Sequence, residues 1–218
     1  MRYAPLVASK AEIREHHRRR REESEREILE AAERLLRERP FRELTVDDLM
    51  TAAGQSRTAF YRHFGDRQEL LVRLLSDLAE KLYDMAGAWL GGGENPRAES
   101  LRSFELLTGV YQEHGPLLRA ITEAANHDRE VEEAYARLVQ LFIDATVARL
   151  ERDQATGRIA VPHLREMAIA LVWMSERYLT LTFGQPGQQA NHATAVDVLH
   201  TIWMRAIYRI DPPPTPDR

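Results

Sequence analysis

The chain has 218 residues, 44% of them hydrophobic and 29% charged, with a formal net charge of −4 at pH 7. It contains no cysteine, which excludes a disulfide framework and a thiolate metal site. No apolar run approaches the roughly 20 residues that cross a bilayer, and the polar N-terminus shows no signal-peptide core, so a soluble, cytoplasmic protein is expected. The length suffices for a small N-terminal domain and a larger one with its own core. Charge is uneven along the chain: 16 basic against 14 acidic residues up to Arg73, a net +2, and 14 against 20 beyond it, a net −6. An acidic total does not exclude nucleic acid, because phosphate attraction acts within a Debye length of about 8 Å.

The first feature along the chain is His16-His17-Arg18-Arg19-Arg20-Arg21. It reads either as an arm that reaches the minor groove or phosphates, or as a solvated helical extension whose arginines pair with Glu22, Glu23, Glu25 and Glu27. Adjacent histidines point apart on a helix and no third ligand is near, which argues against metal.

Thr45 with Asp48 three residues on makes a capping box, and Val46, Leu49, Met50 and Ala53 follow at helical spacing. Gly54 supplies the left-handed conformation that ends such a helix. Ser56 is placed to cap a second short helix over 57–64. There Phe60 and Phe64 face one way, Thr58, Ala59 and Arg62 the other, with Arg57, Tyr61 and His63 on the flanks. The outward set suits DNA: Arg57 and Arg62 for guanine edges or phosphate, Thr58 for a base or thymine methyl, and Ala59 for close approach. Tyr61 and His63 suit phosphate contacts, Ser56 and Thr45 add neutral donors at helix N-termini, and Arg67 adds a cation at the next helix start. The same pattern also describes a solvated polar face on an ordinary helical hairpin.

Beyond Leu70 the chain reads as helices divided by breakers, without strand alternation. A long helix is expected over 66–90, stopped by Gly91-Gly92-Gly93-Glu94-Asn95-Pro96, then one over 97–113. Gly115-Pro116 marks the next boundary, with Pro116 in the first turn of a helix ending near Asn126. Further helices are expected over 128–154, 164–183 and 191–210, before Pro212-Pro213-Pro214, for a total of about nine.

The run Leu44-Thr45-Val46 through Ala52-Ala53-Gly54, then Ser56-Arg57-Thr58-Ala59-Phe60-Tyr61-Arg62-His63-Phe64-Gly65-Asp66-Arg67, closely resembles the DNA-binding domain of TetR-family transcriptional regulators. The resemblance extends upstream over Ile28-Leu29-Glu30-Ala31-Ala32-Glu33-Arg34-Leu35-Leu36 and downstream into Glu69-Leu70-Leu71. It departs at Arg67, where family members usually carry lysine. It implies an all-α fold: a basic arm at 1–23, a three-helix helix-turn-helix domain at 24–70, a helical ligand-binding and dimerisation domain at 71–211, and a Pro-rich tail at 212–218.

Met174-Ser175-Glu176-Arg177 with Phe183-Gly184, followed by Leu199-His200-Thr201-Ile202-Trp203 and Ile207-Tyr208, is similar to the last two helices of the EthR-like branch of that family. That resemblance implies a mainly apolar tunnel for elongated hydrophobic ligands with a polar group near the middle. Its lining would come from Leu101, Phe104, Thr108 and Tyr111, from Tyr135, Val139 and Phe142, and from Val172, Ser175, Leu179 and Trp203, with Leu107 and Leu138 on the same faces. Side chains of these types are also what any helical core uses. The same two helices would form a dimer interface through Ala168, Leu171, Val172, Leu179, Val196, Leu199, Ile202 and Ala206, although a monomer could bury that stripe internally.

The function implied is a dimeric repressor on a palindromic operator, released by a hydrophobic small molecule, with no catalytic residue, cofactor or metal. A constitutive DNA-binding protein without a ligand is one alternative. Another is an all-α enzyme or carrier, whose candidates would be Glu176 with His114 or His200. No Ser-His-Asp, His-x-x-Glu or phosphate-cradling glycine pattern accompanies those three.

Overall fold

A computed structural model describes residues 10–185 and 190–209, and every regular element among them is helical. The segment before residue 10 and the Pro-rich tail at 212–218 lie outside the described residues. The α-helices are α1 (Lys10–Leu36), α2 (Val46–Ala53), α3 (Arg57–His63), α4 (Arg67–Leu90), α5 (Pro96–Ala125), α6 (Arg129–Ala155), α7 (Leu164–Phe183) and α8 (His192–Trp203). A 3-10 turn at Phe41–Glu43 precedes α2, and a π-helical turn at Met204–Tyr208 prolongs α8. The chain divides into two compact units, one up to Arg67 and the other from Gln68.

In the first unit, α1 packs on α2 and α3. Ile28, Ala31, Ala32 and Leu36 recur at helical spacing along α1 and are buried, as are Leu44, Leu49, Met50, Phe60 and Phe64. The two short helices take their bounds from local chemistry. Thr45 Oγ1 accepts the Asp48 N–H at 3.1 Å, while the Asp48 carboxylate accepts the Thr45 N–H at 2.8 Å, so two free amides at the start of α2 are satisfied reciprocally. The Thr45 hydroxyl and N–H, with Arg39, hold the Asp48 carboxyl down to about 2. Gly54, at φ 67°, closes α2 from the left-handed region, and Ser56 Oγ accepts the Ala59 N–H at the start of α3. Gln55 ties this turn to α1: its amide donates to the Ser24 carbonyl and to Glu27 Oε2, and accepts from the Ser24 hydroxyl.

The N-terminal arginine run belongs to α1 rather than to an arm separate from it. Arg18 pairs with Glu15 at 2.8 Å and Glu22 at 2.9 Å, and Arg19 with Glu15. The spacing is that of the solvated-extension reading; of its expected partners Glu22 takes part in these pairs, and Glu15 on the upstream side supplies the rest.

In the second unit, α5 runs unbroken through Gly115 and Pro116, so the described residues hold eight α-helices and not about nine. The expected boundary fails because of a neighbour. A Cβ at position 115 would collide with the Phe183 carbonyl oxygen on α7, so the glycine permits close helix packing and does not end a helix. Pro116 removes one N–H from the ladder, but α5 is held along its length by α6, α7 and α8.

A buried cation joins four elements of this unit. Arg149 of α6 has no exposed surface. Its Nε donates to Asp153 Oδ2 at 2.8 Å, its Nη1 meets Glu99 Oε2 of α5 at 3.2 Å and the Trp89 carbonyl at the end of α4, and its Nη2 reaches the Tyr208 hydroxyl. Tyr208 in turn donates to Asp153 Oδ2 at 2.6 Å, and Arg158 reaches Oδ1 at 3.5 Å, so both oxygens of the buried carboxylate are engaged. Arg152 caps the same helix end through the Leu90 carbonyl.

Candidate nucleic-acid interface and apolar cavity

The exposed side of α3 carries Arg57, Thr58, Tyr61 and Arg62, with Ser56 at its start. Tyr61 is 52% exposed, an aromatic ring presented to solvent on that side. One turn apart, Arg57 lies 5.8 Å from the Tyr61 ring centroid and approaches its hydroxyl at 3.4 Å, while Asp47 of α2 sits 3.3 Å from the same guanidinium. These contacts align Arg57 without burying it.

Four expected positions are placed differently. Ala59 is only 5% exposed and belongs to the inner side of α3, so the close-approach role does not match its position. His63 turns toward α1: its side chain is buried, Nε2 lies 3.0 Å from Ser24 Oγ, and Glu25 is 3.9 Å away. Burial holds the imidazole below its usual range, with Glu25 opposing and Arg21 and Arg62 reinforcing that shift. Arg67 donates to the Leu44 carbonyl and stacks 5.2 Å from the Phe41 ring, which makes it a clamp on the 3-10 turn. Thr45 is exposed, but its hydroxyl is engaged by Asp48.

What residue-by-residue reading missed is a polar groove of about 580 Å³ lined by His17, Arg20, Arg21, Glu23, Ser24, Glu27, Gln55, Arg62 and His63. It brings α1 cations beside Arg62 of α3. Arg20 and Arg21 are exposed and, among the described residues, have no ion pair within 4.0 Å. The signal was the arginine run itself, but only the fold sets it beside α3.

The second unit encloses a cavity of about 90 Å³ with almost wholly apolar walls. Phe104 and Tyr111 of α5, Tyr135, Val139 and Phe142 of α6, Val172, Ser175 and Leu179 of α7, and Trp203 of α8 line it, so nine of the expected positions converge. Leu101 is 38% exposed on the outside of α5, and Thr108 is fully buried away from the cavity; neither lines it. Leu82, Ala86, Trp89 and Leu90 of α4 complete the wall. Their row at helical spacing was visible in sequence, but it was indistinguishable from an ordinary core stripe. Trp203 meets Trp89 and Phe104 edge-on at 5.2 and 5.5 Å.

The catalytic alternative gains nothing from this geometry. Glu176 lines the cavity, whereas His114 and His200 do not. His200 is buried near Ser100, and burial followed by Arg97 lowers its proton affinity. No group of metal-ligating side chains occurs among the described residues, and none of their helices is long and apolar enough to cross a membrane.

A capped pair of short helices with an arginine-bearing outer side, followed by a helical unit around an apolar cavity, places the chain among helix-turn-helix transcriptional regulators that bind DNA. The family described as "Bacterial regulatory proteins, tetR family" matches residues 28–74, and "Transcriptional regulator EthR, C-terminal domain" matches residues 101–209. The HTH-type transcriptional regulator EthR of Mycolicibacterium smegmatis is 32% identical over 194 residues, 86% of this chain and 87% of that protein. Among solved structures, the TetR-family regulator PfmR from Thermus thermophilus superposes with a TM-score of 0.69 at 20% identity, over 82% of this chain and 97% of that one. AibR in complex with isovaleryl coenzyme A and operator DNA gives 0.64 at 14% identity, with coverage of 82% and 97%. The chain belongs to the TetR family of bacterial regulatory proteins.

Proposed function

We propose that the protein is an effector-controlled repressor: a homodimer that holds a palindromic operator through α3 and releases it when a hydrophobic small molecule occupies the cavity. The observation that carries this reading is α4, a single helix. It begins at Arg67, next to the helix-turn-helix, and its last turns supply Leu82, Ala86, Trp89 and Leu90 to the cavity wall. A ligand that favours one position of those residues over another would act on the element leading to the DNA-binding unit. A shift of a few kcal/mol between two states suffices for regulation.

In this reading Arg57, Thr58 and Arg62 meet base edges or phosphates, and Ser56 and Tyr61 add hydrogen bonds to the backbone. Arg20 and Arg21 add phosphate contacts from α1. The cytoplasm, where the bacterial chromosome lies, is the compartment in which such a regulator works. A short recognition helix touches few base pairs, so two copies related by a dyad supply the specificity.

In this reading the dimer surface keeps Ile202 of the expected stripe but not its buried members. Ala168, Leu171, Leu179, Val196 and Leu199 are buried within the protomer, as the monomer alternative allowed. Trp173 and Leu181 of α7, the latter 59% exposed, and Val198 and Ile202 of α8 remain outside and supply the apolar surface for a partner.

The test is fluorescence anisotropy of the full chain on its own upstream DNA across a salt series, with Arg57→Ala as control, followed by a screen of hydrophobic compounds for release. Salt-dependent binding that is lost in the variant and reversed by a compound supports the proposal. Binding that no compound reverses, with no thermal stabilisation by any of them, favours a constitutive regulator.

A further inference from the structure

The cavity is not uniformly apolar. Glu176 lines it from α7, and the Thr180 hydroxyl donates to its Oε1 at 2.7 Å. Among the described residues no cation lies within 4.0 Å of that carboxylate. Tyr135, which lines the same cavity, is 9% exposed; its buried hydroxyl makes no hydrogen bond of good geometry, but it faces Glu176 closely enough for a hydrogen bond to that carboxylate to bear on its proton affinity. After burial, the Glu176 charge is the next influence raising the proton affinity of both Tyr135 and Tyr111, which places the three groups within electrostatic reach of one another. By contrast the Ser175 hydroxyl is already used, donating to the Leu171 carbonyl and accepting from Trp203 Nε1.

A carboxylate with spare acceptor capacity and no cation beside it, next to a phenol oxygen that is free to accept, defines one ligand chemistry at the wall of an aromatic cavity. We infer that the effector carries a protonated amine, which Glu176 binds as counter-ion and the Tyr135 oxygen as a second acceptor, while its apolar body fills the space against Phe104, Leu179 and Trp203. Ammonium serves both groups at once: it pairs with the carboxylate and donates to the phenol oxygen, whose own proton is directed to Glu176. It neutralises a partly buried charge and donates several N–H bonds, and it is further favoured by the surrounding ring faces. A carboxylate ligand meets repulsion at the same place, and an alcohol leaves the charge unpaired. This inference rests on the effector-controlled reading and narrows it from a hydrophobic compound to a hydrophobic amine.

The experiment uses the full-length protein and three isosteric series, hexyl and octyl amine, alcohol and carboxylate, by calorimetric titration and thermal shift at pH 7, with Glu176→Gln and Tyr135→Phe as variants. Gln keeps an acceptor for Thr180, so the first variant retains the helix contact. The amine is expected to bind roughly tenfold tighter than the alcohol, with the carboxylate weakest. Glu176→Gln is expected to erase the amine's advantage without weakening the alcohol, and Tyr135→Phe to reduce it. Equal binding of amine and alcohol to both the wild type and Glu176→Gln overturns the inference and leaves the hydrophobic sensor standing. If no member of any series binds or stabilises the protein, the sensor reading itself fails, and the amine with it.

Discussion

Trp203 of α8 donates its indole N–H to the Ser175 hydroxyl of α7 at 2.9 Å, and both side chains line the apolar cavity. The serine hydroxyl donates in turn to the Leu171 carbonyl, so both groups are satisfied and the indole is fixed edge-on to Trp89 and Phe104. Removing the serine oxygen leaves a buried N–H without an acceptor. Ser175→Ala is therefore expected to lower stability by about 1–3 kcal/mol, read from the midpoint of urea unfolding. Ser175→Thr, which keeps the hydroxyl, is expected to lose less.

Exposed and inward-facing cations of the first unit should separate in a salt titration. Arg62→Ala and Arg20→Ala are each expected to reduce the slope of log affinity against log salt by roughly one, as loss of one phosphate contact does. Arg67→Ala removes a clamp on the Leu44 carbonyl and the Phe41 ring, so the expected effect is a lower melting temperature with an unchanged slope. An equal change of slope in Arg67→Ala would put that residue on the DNA.

Acid should weaken the fold through its buried imidazoles. His63 and His200 both hold protons less tightly in the folded chain than their ordinary value, chiefly through burial. The unfolded chain therefore takes up protons first as pH falls past about 6.5, so their contribution is complete above that pH and is lost progressively below it. Urea midpoints are expected to drop between pH 7.5 and pH 5.5, and to drop less in His63→Gln. An equal drop in that variant would remove His63 from the account.

Arg149 meets Asp153, Glu99, the Trp89 carbonyl and Tyr208 through one forked guanidinium. Lysine cannot reproduce that fan of planar donors. Arg149→Ala takes the buried guanidinium from Asp153, Glu99 and the Trp89 carbonyl, leaving Asp153 with only the Tyr208 hydroxyl and the more exposed Arg158, and is expected to destabilise by about 3–5 kcal/mol. Arg149→Lys is expected to recover little of this in chemical denaturation, whereas full recovery would mean that charge alone matters there.

The helix crossing at Gly115 offers a packing test. A methyl group at this position meets the Phe183 carbonyl of α7. Gly115→Ala is expected to cost about 1–3 kcal/mol despite the better helix propensity of alanine. A gain in stability, read by thermal melting, would show that α5 and α7 can separate at no penalty.

The local punctuation of the first unit was legible because its causes are local. Thr45, Asp48, Gly54 and Ser56 act on amides and carbonyls within a few residues of themselves, so spacing alone fixed the bounds of α2 and nearly those of α3. Leu164–Phe183 was legible from its helical spacing beyond Pro162, although no side chain caps its start, where His163 takes φ 50°. Gly115-Pro116 misled because the same residues serve a turn in isolation and a close crossing in context, and only α7 distinguishes the two.

By itself, then, the order of residues determined every described helix boundary with a local cause, the capped turn and the set of side chains from which a DNA-facing surface and a cavity could be drawn, but not the continuity of α5. Tertiary structure decided the membership: it turned Ala59, His63 and Arg67 inward, set Arg20 and Arg21 beside Arg62, left Leu101 and Thr108 off the cavity wall and brought Trp89 onto it. The reason is geometric. A helix fixes which residues share a face within one turn or two, but which face is buried depends on neighbours far away in the chain.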